Sequence, residues 1–263
     1  MQEIADHYTQ TGLEAALLEA LVAAGKDPDR LTVDDLAAMD EFHVGGRQAT
    51  QELASQMDLR PVLRVLDIGC GIGGPARFLA EQYGCTVTGI DLTEEYVSVA
   101  QSLTRRVGLT EKVRFCRAGA AAVPFRAASF DRAYMIHVGM NIADKAAVFA
   151  DVRRVLQPGG LFAIYDIVRD GPGDVKFPVP WASTPAISFL APLSEYREGL
   201  AAAEFTIVAE RNRRAFAIEF FERARPAGLR PLMGQNAGEK VANVASAIAG
   251  GMVYPVEMIA IKN

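Results

Sequence analysis

Cysteine is scarce in this chain: Cys70, Cys85 and Cys116 are the only three among 263 residues. So small and odd a count gives no disulfide framework. All three fall in or beside expected core elements, where thiols pack as small apolar groups, so the setting expected is a reducing cytoplasm. Histidine is equally rare, and His7, His43 and His137 show no ligand-like spacing, which leaves no metal site to expect. The formal net charge is only −5 and no run of like charges occurs. That excludes the basic footprint of a nucleic-acid binder and the basic amphipathic arm of a membrane-surface protein. No apolar stretch is long enough to span a bilayer, and the opening MQEIADHYTQ lacks the basic-then-apolar pattern of a secretory signal. Internal repeats and low-complexity linkers are missing too. What is present is apolar mass: 50% of the residues are hydrophobic. A chain of this length buries roughly three quarters of its unfolded surface, as one large domain or a domain with a cap.

Apolar spacing organises the chain. Residues 13–24 repeat at helical intervals and stop at Gly25 and Pro28, a short helix follows around 33–39, and Gly45-Gly46 feed another. Residues 1–60 therefore read as a helical lid before the main domain at 61–263. Strands are expected at 62–68, 85–91, 113–117, 131–136 and 160–167, with helices at 94–107 and 144–156 between them. Such alternation predicts an α/β, doubly wound parallel sheet with its ligand at the carboxyl ends of the central strands. The rhythm breaks at 170–193, rich in Pro and Gly and carrying Phe177, Trp181 and Phe189. This reads as a cap insertion over the site, spanning about 170–203 with the helix at 194–203. A strand at 204–211, helices at 214–225 and 237–249 and a last strand at 252–262 complete the pattern.

The densest information lies in VLDIGCGIGGPARFLA, residues 65–80. A strand runs into Asp67, a glycine-rich turn follows, and a helix opens at Pro75, whose fixed φ and missing N–H suit the first helical turn. Gly69, Gly71 and Gly73 let the chain turn tightly and let backbone N–H groups approach a ligand. The helix start favours an anion. About twenty residues beyond Gly71, the strand in VTGIDL ends in Asp91. Two carboxylates at adjacent strand ends suit a ligand with an ammonium group and a ribose. S-adenosylmethionine (SAM) has both: Asp67 would face the ammonium, Asp91 the ribose hydroxyls, and the helix start the methionine carboxylate. The run Gly69–Gly74 also fits the G-x-G-x-x-G dinucleotide pattern, so an NAD-dependent oxidoreductase is the competing reading.

With VPFRAASFDRAYMIHV (123–138) and DVRRVLQPGGLFAIYDI (151–167) added, the chain resembles the class I SAM-dependent methyltransferases of the small-molecule branch. It is similar in layout to sarcosine/dimethylglycine-type and alkaloid N-methyltransferases and to quinone-biosynthesis C-methyltransferases. The resemblance implies a Rossmann-like sheet, mostly parallel, with an antiparallel C-terminal strand. It places Leu92 over the adenine and Gly119 and Ala120 beside it, where the family usually carries an acid. It sets His137 where the active-site floor meets the SAM methyl group, either as a catalytic group that orients or deprotonates the acceptor or as a structural hydrogen-bonder. It brings the His43 loop to the acceptor pocket, with Arg47 near the SAM carboxylate or in solvent; Tyr8 lines the same pocket or packs the amino-terminal helix, Asn141 holds a substrate polar group or caps the next segment, and Trp181 walls the pocket or packs on the sheet.

The implied activity is methyl transfer to a nitrogen or oxygen of a small metabolite, with carbon the alternative acceptor. The partner is a small molecule, with no nucleic acid and no membrane. The apolar lid suits either its own site or a second subunit, so homo-oligomerisation stays open. A non-catalytic SAM-binding protein is the third reading. The carboxylate pair yields the first expected outcome: the Asp91→Ala variant loses the thermal shift that SAM gives the wild type, while NADH shifts neither. A normal shift with Asp91→Ala refutes the placement of the ribose.

Overall fold

The computed structural model describes residues 7–8, 12–223, 230–234 and 236–263. Seven strands form one sheet: β1 (Arg64–Ile68), β2 (Thr86–Asp91), β3 (Val113–Arg117), β4 (Phe130–Ile136), β5 (Leu156–Arg169), β6 (Phe205–Asn212) and β7 (Val253–Lys262). Their order is β3-β2-β1-β4-β5-β7-β6. Strands β3 to β5 pair in parallel, and β7 runs antiparallel to both β5 and β6. The sheet reverses its winding between β1 and β4, and the crevice at that point opens at the carboxyl ends of β1 and β2. An antiparallel strand wedged between β5 and β6 sets this sheet apart from the all-parallel dinucleotide-binding order 3-2-1-4-5-6.

Central strands of such a sheet are buried on both faces, which explains their near-continuous apolar runs. One face packs Leu66, Ile68, Met135 and Ile164 against Phe149 and Val152 of helix α6 (Lys145–Val155). The other packs Val65, Val87 and Tyr134 against Phe78 and Leu79 of α4 (Gly74–Tyr83) and Val97 of α5 (Glu94–Arg106).

Three helices precede the sheet: α1 (Leu13–Ala23), α2 (Val33–Asp40) and α3 (Gly46–Ala54). Leu13, Leu17 and Leu21 of α1 and Leu36 of α2 bury against Tyr96, Val99 and Leu103 of α5. Helix α2 starts in a capping box, Thr32 accepting from the Asp35 N–H and Asp35 from the Thr32 N–H. Past β5, Val179, Trp181 and Ile187 pack with Ala217 of α8 (Arg214–Arg223) and with Val244 and Ile248 of α10 (Ala237–Ala249). Between these stretches lie α7 (Leu193–Ala202) and the single turn α9 (Arg230–Met233).

Most boundaries fall within one or two residues of the sequence expectation, and the start of β5 differs more. Strand β5 begins at Leu156, not 160, because Pro158-Gly159-Gly160 is absorbed as an irregularity in its pairing with β4, where the register jumps between Phe130↔Leu156 and Arg132↔Leu161. Gly159, at φ +73°, supplies the left-handed residue that the jump requires. Helix α8 is described as far as Arg223, and residues 224–225 of the expected helix lie outside the described residues.

Buried beneath the lid is Arg77 of α4, 0% exposed. Its Nη2 donates to Asp40 Oδ2 at 2.8 Å and to Ile72 O at 2.7 Å. Its Nη1 reaches Thr104 Oγ1 at 3.2 Å and Ala100 O at 3.3 Å. One guanidinium thus joins the end of α2, the glycine turn and α5. Removing one partner of a buried ion pair strands the other without solvent. Arg77→Ala and Asp40→Ala are each expected to cost about 3–5 kcal/mol in chemical denaturation. The double variant should lose less than the sum.

Candidate functional site

The glycine turn after β1 is held from the neighbouring strand. Gly69 and Cys70 donate their N–H groups to Ile90 O at 2.8 and 3.0 Å, and Gly71 N–H donates to Asp91 Oδ2 at 2.9 Å. Gly69, Gly71 and Gly73 have φ of +69°, +53° and +84°, a region side chains avoid. Asp91 Oδ1 accepts the Thr93 N–H at 2.9 Å. Each carboxylate oxygen of Asp91 is thereby fixed by one backbone donor and keeps a lone pair for a ligand hydroxyl.

Asp67, at the end of β1, is buried, and its Oδ2 has no hydrogen-bond partner. Burial pushes its carboxyl up to about 8, opposed by the nearby Tyr134 hydroxyl and reinforced by the Asp91 and Glu41 charges. Burial raises Asp91 as well. Both lie in a cavity of about 650 Å³ that runs from the glycine turn to the loops after β4 and β5.

Around His137 lies a cluster of three rings. The centroids of His137 and Tyr165 are 5.2 Å apart, those of His43 and His137 5.9 Å, and those of His43 and Tyr165 6.2 Å. His137 Nε2 is buried without a partner. Burial, helped by His43, lowers the His137 pKa well below its ordinary value, so the ring is neutral. Burial takes His43 down to about 4. His43 Nε2 lies 3.0 Å from Gly46 O, so this nitrogen carries the proton and Nδ1 is left as an acceptor.

His137 sits at φ +54°, an uncommon conformation for a residue with a side chain. Strain of this kind costs about 1–3 kcal/mol and persists where surroundings over-determine it. Here His137 N–H donates to Tyr165 O at 2.7 Å, and Asp166 Oδ2 accepts from Gly139 N–H at 2.7 Å and from the Tyr196 hydroxyl at 2.9 Å. The sequence pattern did not single out Asp166 or Tyr196.

The cavity wall brings together Asp67, Gly69, Gly71, Asp91, Leu92, Gly119, Ala120, His137, Tyr8, His43, Asn141 and Trp181. Gly73 is not among the lining residues: it caps α4, and a Cβ there would press on Phe115 Cζ at 2.5 Å. Arg47 is also elsewhere. Its Nε donates to the buried Glu41 at 2.5 Å, its Nη1 to Asp34 at 3.2 Å, and its guanidinium stacks on Phe78.

Asn141 and Tyr8 are bonded to each other, the Tyr8 hydroxyl donating to Asn141 Oδ1 at 2.8 Å. Asn141 Nδ2 donates to Trp181 O at 2.7 Å. This one amide spans the cavity roof from the N-terminal segment to the Trp181 segment. Phe42, Tyr96, Met140 and Leu232 also line the wall and were not anticipated; they carry only the general apolar signal of a core. Among the described residues no group of His, Cys, Asp and Glu could hold a metal ion, and no helix is long and apolar enough to cross a membrane.

The partnerless Asp67 oxygen, the positive-φ turn at Gly69–Gly71 and the prearranged Asp91 carboxylate fit the ammonium, methionine and ribose groups of SAM. The family described as "methyltransferase domain" matches residues 66–164. The matched residues run from β1 through the glycine turn and His137 into β5.

Methyltransferase GfsG of Streptomyces halstedii is 36% identical over 171 residues, 65% of this chain and 59% of that one. The chain thus spans less than two thirds of the length of this curated relative. In fold, the chain is similar to the geranyl diphosphate C-methyltransferase of Streptomyces coelicolor A3(2), with a TM-score of 0.73 at 16% identity, covering 100% of this chain and 97% of that one. It is also similar to the [4+2]-cyclase SpnF, with a TM-score of 0.70 at 22% identity, covering 95% and 92%. The sheet and its antiparallel seventh strand have the Rossmann-like methyltransferase fold, not the all-parallel order of the dinucleotide-binding sheet.

The elevated Asp67 pKa has a pH consequence. Below about 8 the free carboxyl holds its proton, and an ammonium binds well only to the ionised form. SAM is therefore expected to bind more tightly as pH rises from 6 toward 8, by up to about tenfold per unit, and to release a proton in doing so. Calorimetry in two buffers of different ionisation enthalpy reads that proton. In Asp67→Asn, binding should be weak and the proton release absent.

Proposed function

We propose that this protein transfers the methyl group of SAM to a proton-bearing oxygen or nitrogen of a small molecule, with His137 as the base. The observation that carries this reading is the neutral His137 ring, whose buried Nε2 lacks a partner in the same cavity as Asp67 and Asp91. When bound, SAM supplies a methyl group activated by a positive sulfur, which leaves as a neutral thioether. The chain's own residues have three tasks. Asp67 and Asp91 hold the donor, the former by charge and the latter by hydroxyl hydrogen bonds. The apolar wall excludes water and aligns the acceptor, and alignment of this kind is worth about 7–11 kcal/mol. His137 Nε2 accepts the proton that the oxygen or nitrogen gives up as its new bond to carbon forms, a role suited to an imidazole kept neutral by burial. The leaves of the lid at residues 1–60 and the cap about 170–203 act in this reading as the cavity's cover, with Gly119 and Ala120 offering backbone to the adenine and Leu92 its face.

Carbon as the accepting atom is the second reading, favoured by the names of similar proteins: sterol 24-C-methyltransferases and the geranyl diphosphate C-methyltransferase. Mass spectrometry of a metabolite mixture incubated with methyl-labelled SAM distinguishes the two. An O- or N-linked label is the expected product. His137→Ala should lower kcat by about 10²–10⁴-fold while leaving SAM affinity within a few-fold. A carbon-linked label, or a kcat unmoved by His137→Ala, overturns the assignment of the base.

A further inference from the structure

The charges around the cavity are one-sided. Its lining includes four carboxylates, Asp40, Asp67, Asp91 and Asp144, and no described lysine or arginine. His43 and His137 add no positive charge, both being neutral by burial. The acceptor end is walled by Phe42, Met140, Ile142, Trp181, Phe189 and Leu232.

The cations nearest this wall are already committed. Lys145 is buried behind it, and its Nζ donates to the backbone carbonyls of Ile142 at 2.9 Å and Phe189 at 2.7 Å. Arg77 is shared by Asp40, Ile72 and Thr104, and Arg47 by Glu41 and Asp34. The N-terminus of α6, where an anion would otherwise find free N–H groups, is capped by Asp144 itself, whose Oδ1 accepts from Ala147 N–H at 2.9 Å.

Building on the methyl-transfer reading, we infer that the acceptor is an apolar molecule carrying no phosphate, sulfate or carboxylate. A buried anion is tolerated only beside a cation or strong donors that replace its water. Among the described residues this cavity offers no cation at its acceptor end and only isolated hydroxyls such as that of Tyr96, and its carboxylates repel a second negative charge. The geranyl diphosphate enzyme to which the fold is similar is described with a diphosphate-bearing substrate and Mg²⁺. This chain keeps the architecture and, among the described residues, has nothing that would receive such a group.

The test uses the whole chain loaded with S-adenosylhomocysteine, the donor's product. Calorimetric titration with S-adenosylhomocysteine alone comes first: failure to bind sinks the methyltransferase reading and leaves the wall's charge preference to be judged separately on the free protein. The probes are then 2-naphthol and 2-naphthyl phosphate, equal in ring and opposite in charge. 2-Naphthol is expected to bind about tenfold or more tightly than the phosphate. A phosphate that binds as well as the naphthol, or a naphthol that does not bind, overturns the inference. The variant Phe189→Lys places an uncommitted ammonium in the wall and should raise phosphate affinity about tenfold while weakening the naphthol. Should that variant fail to fold, Ile142→Lys serves the same purpose, and the wild-type comparison stands without either.

Discussion

Arg77 is the point on which the site's architecture turns. Its guanidinium reaches the last residue of α2, a carbonyl in the glycine turn and the body of α5, all without solvent contact. A cation so enclosed is stable only while each partner stays in place, because its desolvation is offset by those bonds alone. Helix α2, the glycine turn and α5 therefore hold a common geometry. The close approach of α2 to the turn needs a residue without a side chain at Gly74, where a Cβ would run into the Asp40 backbone. The glycines of the motif thus serve two ends: Gly69 and Gly71 present backbone to the cavity, and Gly73 and Gly74 admit Phe115, Arg77 and Asp40 behind it.

Enclosure also sets the electrostatics. The same low-dielectric setting raises the Asp67 carboxyl and lowers both imidazoles, leaving a cavity whose free protein carries less charge than its composition suggests. A cationic ligand recovers the cost of ionising Asp67, whereas an anion recovers nothing. Selection for a positive donor and against a negative acceptor follows from one arrangement of buried acids and neutral rings.

Much of the fold was legible in the sequence because local signals agreed with the global pattern. Period-2 and period-3.6 spacing, with Gly and Pro at the joints, placed the strands and helices to within a few residues. Pro158-Gly159-Gly160 misled because those residue types signal a turn, whereas here β5 runs through them as a bulge. In the site, Asp67, Asp91, Gly69 and Gly71 stood out since backbone conformation and charge both constrain them. Gly73 followed the same pattern for a packing reason alone. Arg47 read either as a neighbour of the SAM carboxylate or as a solvated side chain, and it is instead paired with Glu41 and Asp34. Arg77, Asp166 and Tyr196 were silent, because a partnership across distant elements leaves no mark on local spacing.

Likeness of fold to both a C-methyltransferase and a [4+2]-cyclase shows that this sheet does not by itself dictate a reaction. What separates chemistries must lie in side chains at strand ends, and here the backbone has been bent to place one. His137 takes a left-handed conformation that a histidine rarely adopts, immediately after β4. Asp166 secures the following loop through Gly139, and Tyr196 secures Asp166, while a side chain at residue 139 would collide with both. The His137 backbone, held by its bond to Tyr165 O, fixes the ring beside Tyr165 and His43, so the character of this wall is set by local backbone restraint and not by the sheet alone.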